Sequence, residues 1–446
     1  DAQESRGLGD VYKRQLNKYI LKINLFYGWK SAFTALGVNA VISAPAYGAT
    51  GLWIDSLESE FGWSRTQLSI AFSLGQLEGS IAAPIVGYLI DKIGGKKVAC
   101  MGAMVSAIGF LLLSQTVPVT ESRENWLDPT IFYFSYITIM FGVTLGGWIP
   151  MTVIINNWFS KNRSLAMSIG SVGFSVGTFA IVPLLAILIS SDDVGWQATA
   201  IGLAIFFPLL LVPITKIIKN TPEEIGEVPD GKVSLGRVEN KVGASIPTEA
   251  NDFTLSEALR EKVFWYIAIG HGASAMLTST MMVHLILAFK HLGISLQTAA
   301  FIWGIAMGIG GVSQILGGFL GDRTPKHIAV CLFGCIQAIG VSIAVLVTNL
   351  WIAILFSIVY GIGFGARAPI TTSMRGDYFG RKSFGKIMGV SAMSMMLMTM
   401  FGPIFAGRLF DLQGDYKSGF LILALVGFIG SLIFLLAKKP TSPENV

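Results

Sequence analysis

The sequence predicts an all-α integral membrane protein in which twelve transmembrane helices form two pseudo-symmetric six-helix bundles. First, 52% of the 446 residues are hydrophobic and only 13% are charged, whereas a soluble domain carries about 25% charged residues. Second, the apolar residues fall into runs of about 20 residues, the length that a helix needs to cross a bilayer. Third, short sequence signals recur in the two halves of the chain.

The apolar runs are predicted to be helices, because a barrel strand would cross with only about ten alternating residues. In chain order they cover residues 29–51, 66–90, 97–116, 130–154, 164–189, 195–217, 263–289, 297–320, 327–347, 351–373, 384–407 and 418–438. The least distinct boundary lies near Asn349, where the ninth and tenth runs almost touch.

The distribution of Lys and Arg predicts the orientation, because basic residues accumulate in cytoplasmic connections. If the amino end is cytoplasmic, the outer connections hold few basic residues and most of them lie in inner connections. The basic residues of the outer connections are Arg65, Arg123, Lys290, Arg408 and Lys417. We therefore predict that both termini face the cytoplasm.

A polar stretch rich in Pro, Gly and charge divides the twelve runs into six and six. The predicted parts are a non-native leader (1–15), an amino-terminal bundle (16–217), a linker (218–262), a carboxy-terminal bundle (263–438) and a cytoplasmic tail (439–446). Within the linker, "TLSE" at 254–257 matches a capping box and predicts a short amphipathic helix before span seven.

Two pairs of signals recur at corresponding helix ends. "GYLIDK" closes span two and "GFLGDR" closes span eight, while "IPMTVIINNWFSKNRS" closes span four and "APITTSMRGDYFGRKS" closes span ten. Such pairs are typical of a duplicated six-helix unit. The Arg-Gly-Asp run at 375–377 is expected to face the cytoplasm.

The turn after span two resembles the signature loop of the major facilitator superfamily, G-x-L-x-D-[R/K]-x-G-[R/K]-[R/K]. Gly87, Asp91 and Lys92 fit this pattern, and Asp322 and Arg323 keep part of it in the second copy. The resemblance implies that these residues form a cytoplasmic gating loop that latches the two halves. Simple anchoring of the basic residues at the cytoplasmic surface is the alternative.

Ionisable residues at membrane depth are costly, by roughly 2.5–3.5 kcal/mol each on insertion scales. Glu78 lies near the middle of span two, and His271 lies in span seven; both are candidates for proton coupling. A neutral carboxyl bonded to a neighbouring helix, and a structural histidine, are the alternatives. His284, also in span seven, is interpreted as structural.

Arg367 in span ten shares a helix face with Tyr360. A guanidinium remains charged in proteins, so this one requires an anion, either a carboxylate of the chain or a substrate. Arg367 is therefore a candidate for binding an anionic substrate. Its predicted depth also allows its side chain to reach the cytoplasmic interface.

Polar stripes fall on the spans that line the central cavity in the superfamily, namely one, four, seven and ten. Span one carries Asn39, Ser43 and Tyr47, span four carries Trp148, and span seven carries Thr278. These residues, with Tyr360, are predicted to shape a substrate pocket. Packing between helices through small polar groups is the alternative.

The openings of spans one and two, "YGWKSAFTALG" and "EFGWSRTQLSIAFSL", and "RGDYFGRKSFGKIMG" after span ten resemble bacterial relatives of the monocarboxylate transporters and the oxalate–formate exchangers. Members of this branch move small organic anions, often with a proton. The sequence departs from the animal carriers in span one, where Ala46 rather than lysine follows Pro45. It departs again in span eight, where residues 297–321 hold no charge.

The resemblance implies a secondary active transporter in the bacterial cytoplasmic membrane, with a small organic anion as its cargo. We expect this anion to be a monocarboxylate that moves with a proton. We expect it to work as a monomer in the lipid bilayer, without cofactor, metal or nucleic acid, and not as an enzyme. A carrier of neutral or cationic compounds, including drug efflux, and a transporter-derived nutrient sensor are the alternatives.

Overall fold

A computed structural model describes residues 26–120, 125–159, 163–228, 253–321, 323–379 and 384–440. Twelve long helices run through these ranges, numbered here in chain order. They are Tyr27–Phe61, Arg65–Ile93, Gly95–Ser114, Thr130–Trp158, Arg163–Ile189, Gly195–Ile217, Lys262–His291, Leu296–Gly321, Lys326–Val345, Leu350–Phe379, Phe384–Gln413 and Lys417–Leu436. The all-helical prediction is confirmed over the described residues.

Eleven candidate membrane spans meet the length and hydropathy criteria within the described residues. Helix 2 is not among them, although its 29 residues exceed the length required. Its two ends lie at opposite ends of the molecule: the Arg65 side chain contacts Glu58, and Gly94, just beyond helix 2, lies against Asn220. Helix 2 therefore traverses the bundle, in agreement with the prediction of twelve helices.

Helix 1 is longer than predicted because it continues past Pro45 through a short π-helical stretch, Ala44–Gly48. Proline lacks the N–H group that an α-helix needs at this point. Trp53 Nε1 donates to the carbonyl of Pro45 at 2.8 Å, and Thr50 Oγ1 donates to the carbonyl of Ala46 at 3.0 Å. These side chains satisfy backbone oxygens at the irregular turn, and the helix resumes to Phe61.

Helix 4 changes direction at Gly147, whose backbone angles are φ −95° and ψ −120°. The preceding segment packs closely on helix 3, because a Cβ atom on Gly102 would lie only 2.1 Å from the backbone nitrogen of Gly146. Helix 4 resumes at Trp148, at the level of the central cavity.

The predicted capping box is confirmed in the short helix Leu255–Arg260 that precedes helix 7. Thr254 donates its backbone N–H to Glu257 at 2.7 Å, and its hydroxyl accepts from the N–H of Glu257 at 3.3 Å. The backbone N–H of Phe253 also donates to the carbonyl of Phe379, which ties this segment to the end of helix 10.

Helices 1–6 and helices 7–12 are joined by polar contacts at the predicted outer end. We call this set the outer interface, formed by Asp55, Arg65, Thr66, Ser69, His284, Lys290, Asp411 and Tyr416. The described polar contacts at the opposite end, such as Lys326 with Asp377, stay within one half. With the predicted orientation, the described polar contacts between the two halves are therefore concentrated at the outer end.

Candidate functional site

A cavity of about 290 Å³ lies between the two halves. Its lining residues are Asn39, Ser43, Tyr47, Trp148, Ser171, Phe174 and Met282. Four of them were candidates from the sequence, contributed by helices 1 and 4. The other three come from helices 5 and 7, so the pocket combines side chains from both halves.

The polar groups of the cavity are held by backbone irregularities and by helix 5. Asn39 Nδ2 donates to the carbonyl of Gly170 at 3.1 Å, and its buried Oδ1 has no partner among the described residues. The π-helical stretch of helix 1 presents Tyr47, whose ring packs edge-on against Phe72. Trp148 remains 45% exposed, so its indole forms an open wall of the pocket.

Glu78 lies near the middle of helix 2 and is not among the residues that line the cavity. Both carboxylate oxygens of Glu78 are buried and have no hydrogen-bond partner among the described residues. Burial of an unpaired carboxylate is unfavourable. The structure therefore leaves Glu78 as a candidate for carrying a proton.

The remaining predicted pocket residues lie inside the carboxy-terminal half and are not among the residues that line the cavity. Arg367 is 3% exposed, and its Nε donates to Gln337 Oε1 at 3.1 Å. Gln337 Nε2 in turn donates to Thr278 Oγ1 at 3.0 Å. The Tyr360 ring is fully buried and stacks on Phe364.

The Nη1 atom of Arg367 is buried without a hydrogen-bond partner among the described residues. The only described acceptor of this guanidinium is a neutral amide. No described carboxylate therefore contacts Arg367, which is not among the residues that line the 290 Å³ cavity.

A second buried guanidinium, that of Arg375, was not expected from the sequence. Arg375 is only 2% exposed, because helix 10 continues to Phe379. The side of the membrane that the run 375–377 faces stays a prediction. Arg375 Nη2 lies 3.0 Å from His271 Nδ1 and donates to Ser391 Oγ at 2.8 Å. Helices 7, 10 and 11 thus meet at this side chain.

The predicted gating loop is described in part. Lys92 is exposed and its ammonium lies 5.9 Å from the centre of the Tyr88 ring, while Arg323 is exposed and stacks on Phe319 at 3.4 Å. A Cβ atom on Gly87 would meet no atom within 4 Å. The Asp91 side chain and the whole of Asp322 lie outside the described residues.

His284 belongs to the outer interface and is fully buried. Its Nε2 lies 2.8 Å from the carbonyl of Pro403, and its Nδ1 lies 3.0 Å from the Tyr416 hydroxyl. A carbonyl oxygen only accepts, so Nε2 carries a hydrogen and donates to Pro403. This geometry agrees with the interpretation of His284 as a structural residue.

Twelve helices arranged around a central cavity between two halves define a membrane transporter. The chain belongs to the Major Facilitator Superfamily, whose family model matches residues 36–346 and 330–446. The fold agrees with that of a bacterial homolog of the human lysosomal transporter Spinster, solved in an inward-facing, unoccupied conformation. The TM-score is 0.65 at 16% identity, covering 93% of this chain and 97% of that one.

Curated relatives carry several transport functions. The chain is 23% identical over 417 residues to monocarboxylate transporter 13 of Rattus norvegicus, covering 92% of this chain and 88% of the relative. It is 23% identical over 402 residues to the hexuronate transporter of Escherichia coli K12, covering 86% and 88%. It is 24% identical over 356 residues to an agnestins efflux protein of Paecilomyces divaricatus, covering 79% and 74%.

Sequence reasoning missed Ser171, Phe174, Met282, Gln337 and Ser391. Ser171 and Phe174 stand three residues apart on helix 5 and so share a face, a signal that was present but belongs to a helix not expected to line the cavity. Gln337 is a lone amide in an otherwise apolar span, which is a detectable anomaly. Met282 and Ser391 carry no signal that separates them from ordinary packing residues.

Proposed function

We propose that the protein is a secondary active transporter that moves a small organic anion of the monocarboxylate class, together with a proton, by alternating access. One observation supports an anionic cargo. Helix 10 buries two guanidiniums, those of Arg367 and Arg375, and all their described hydrogen bonds go to neutral groups. An unpaired buried charge is strongly unfavourable, so this pair stabilises an incoming anion.

The residues predicted for the pocket take different roles in this proposal. Asn39, Ser43, Tyr47 and Trp148 shape the cavity. Arg367 supplies a fixed positive charge outside it and is held by Gln337, which also donates to Thr278. Glu78 and His271 are the candidates for proton transfer. The signature loop, with Gly87, Asp91 and Lys92 in one copy and Asp322 and Arg323 in the other, latches the cytoplasmic side when the outer interface opens.

We further propose that the protein works as a monomer in a bacterial cytoplasmic membrane, with both termini in the cytoplasm. The bundles of residues 16–217 and 263–438 then rock about the cavity, with 218–262 as the connection between them. The placement of the termini is supported by the Lys and Arg distribution.

Uptake into proteoliposomes tests the assignment, with radiolabelled lactate and glucuronate as probes and an imposed inward proton gradient. We expect saturable uptake, reduced at least tenfold in Arg367→Gln. Arg408→Gln, at an exposed arginine of helix 11, is the matched control and should transport normally. Wild-type uptake of both probes by a correctly folded Arg367→Gln protein would contradict the role of Arg367.

A second candidate function is export of apolar compounds. Trp148, Phe174 and Met282 give the cavity a largely apolar lining, and one relative is named as an efflux protein. If this candidate is correct, everted vesicles accumulate neutral aromatic compounds but neither lactate nor glucuronate.

A further inference from the structure

We propose that Arg375, His271 and Ser391 form the subsite that binds the carboxylate of the cargo, and that cargo binding there is coupled to protonation of His271. This subsite rests on the proposed anion transport and assigns it to side chains outside the 290 Å³ cavity. His271 lies eleven residues before the cavity residue Met282 on helix 7, about 16 Å nearer the predicted cytoplasmic end at 1.5 Å per residue. Cargo therefore meets the subsite between the cavity and the cytoplasm.

The guanidinium of Arg375 presents the fork that a carboxylate recognises. Its Nε and Nη2 atoms both point to one acceptor, Ser391 Oγ, at 3.0 and 2.8 Å. Two parallel N–H groups match the two oxygens of a carboxylate, whereas a single hydroxyl oxygen must accept from both. Ser391 thus occupies the place of a bidentate anion. The third donor position, Nη1, is held by the carbonyl of Thr371 at 3.2 Å and fixes the plane of the fork.

The contact between Arg375 and His271 also fixes the protonation state of the imidazole. A guanidinium has only donors, so His271 Nδ1 must accept from Arg375 Nη2 across their 3.0 Å contact. The ring is therefore neutral, with its hydrogen on Nε2. A proton cannot bind Nδ1 while Arg375 donates to it.

The charges that face His271 also oppose its protonation. Arg375 and Arg367, both on helix 10, are the charged groups whose fields reach the ring, and both are positive. Among the described residues that surround the ring, no carboxylate offsets them. A proton on His271 would therefore be the third positive charge in this part of the bundle.

An incoming carboxylate offsets the positive charge beside His271. It takes the N–H groups of Nε and Nη2 that Ser391 now accepts, while the second hydrogen of Nη2 still faces His271 Nδ1. With the charge of Arg375 neutralised, Nδ1 can give up that contact and bind a proton from water, and the new N–H group donates to the carboxylate. Anion and proton thus favour each other, and this linkage is necessarily reciprocal. Release of either one restores the Arg375–His271 contact seen here.

Proton uptake on binding tests this coupling in the purified full-length protein. Lactate and glucuronate are titrated calorimetrically at pH 7 in two buffers of different ionisation enthalpy, which gives the number of protons taken up per anion bound. We expect nearly one proton in the wild type. We expect almost none in His271→Gln, whose amide oxygen can still accept from Arg375 but does not titrate.

Three further variants separate binding from packing. Arg375→Lys loses the bidentate fork and should bind at least tenfold more weakly, whereas Ser391→Ala removes the competing hydroxyl and should bind several-fold more tightly. If these residues had only a structural role, both variants would have a lower melting temperature and neither would bind the anion more tightly. His291→Gln, the same substitution at an exposed position of helix 7, is the matched control.

The outcomes are distinct. Proton uptake that persists in His271→Gln, or that disappears in Glu78→Gln alone, overturns the assignment to His271, while unchanged affinity in Arg375→Lys overturns the subsite. If the wild type binds neither lactate nor glucuronate yet transports neutral compounds, the proposed anion transport fails, and the subsite fails with it.

Discussion

Asp411, near the end of helix 11, accepts a hydrogen bond from the backbone N–H of Arg65 at the start of helix 2. The distance is 3.3 Å, and the second carboxylate oxygen accepts from the N–H of Thr66 at 3.1 Å. A negative charge is favourable at a helix amino terminus, where backbone N–H groups lack partners. This carboxylate caps a helix of the opposite half, at the outer end of the molecule.

We expect Asp411→Asn to weaken the outer closure, because a neutral amide stabilises the helix terminus less than a carboxylate does. The cap contributes about 1 kcal/mol, so the outward-open population should rise roughly fivefold. A cysteine placed at Ser69, in a protein whose three native cysteines are replaced, should react faster with a membrane-impermeant maleimide. Asp193→Asn, at an exposed position between helices 5 and 6, is the control, and equal rates in the two variants would contradict the role of Asp411.

The ion pair between Lys290 and Asp55 also joins the two halves, with Nζ 2.8 Å from both carboxylate oxygens. Its two side chains differ in exposure, 43% for Lys290 and 8% for Asp55. Because the lysine is well solvated, we expect a coupling of only about 0.5–1 kcal/mol. Melting temperatures of Asp55→Asn, Lys290→Met and the double variant should give this value and a smaller one in high salt. A coupling unaffected by salt would argue against an ionic contact.

Helices 3 and 4 approach each other through glycine. A Cβ atom on Gly102 would lie 2.1 Å from Gly146 N and 2.7 Å from the carbonyl oxygen of Gly142, and backbone atoms cannot yield as side chains do. Gly102→Ala should therefore destabilise the protein by about 1–3 kcal/mol, seen as a lower melting temperature. Gly202→Ala, where a Cβ atom would meet nothing within 4 Å, should be neutral or slightly stabilising. Equal melting temperatures for the two variants would contradict the close packing at Gly102.

Asp128 anchors the connection before helix 4. Burial by itself would raise the pKa of this carboxyl, but hydrogen bonds from Thr120 and Trp63 outweigh it and hold the pKa below the ordinary 3.8. Trp63 Nε1 donates at 2.6 Å and the backbone N–H of Thr120 at 2.7 Å. Because the pKa is lowered on folding, the stabilisation is complete above the unfolded value and is lost as the pH falls through the folded one.

We therefore expect Asp128→Asn to lower the melting temperature by a similar amount from pH 5 to pH 8. Below about pH 4 the difference from the wild type should shrink, as the wild-type carboxyl becomes protonated. Asp192→Asn, at an exposed position of another connection, should have little effect at any pH. A difference that grows on acidification would contradict the assignment.

Local patterns allowed much of the fold to be predicted. Hydropathy located the helices, because a lipid-exposed segment must be apolar along its whole length. The capping box at Thr254 and Glu257 was readable because its partners stand three residues apart. The length of helix 1 was underestimated. The run from Asp55 to Glu60 is polar, yet it continues the helix and contributes Asp55 to the outer interface.

The candidate site was predictable only in part. The sequence showed that helices 1 and 4 carry polar stripes, and Asn39, Ser43, Tyr47 and Trp148 do line the cavity. A stripe fixes the face of one helix but not the neighbour that this face meets. Arg367 is turned toward Gln337 of helix 9, and this contact depends on how helices 7, 9 and 10 pack.

The sequence by itself determined that this chain lies in a bilayer, crosses it as paired sets of helices and buries charge within them. These properties follow from composition and from spacing along a single segment. Only the tertiary structure decided that Arg375 is buried against His271 and Ser391, and that Asp411 caps a helix some 345 residues earlier in the chain. Such contacts depend on the relative rotation and offset of helices, which packing across the whole bundle fixes and no local pattern encodes.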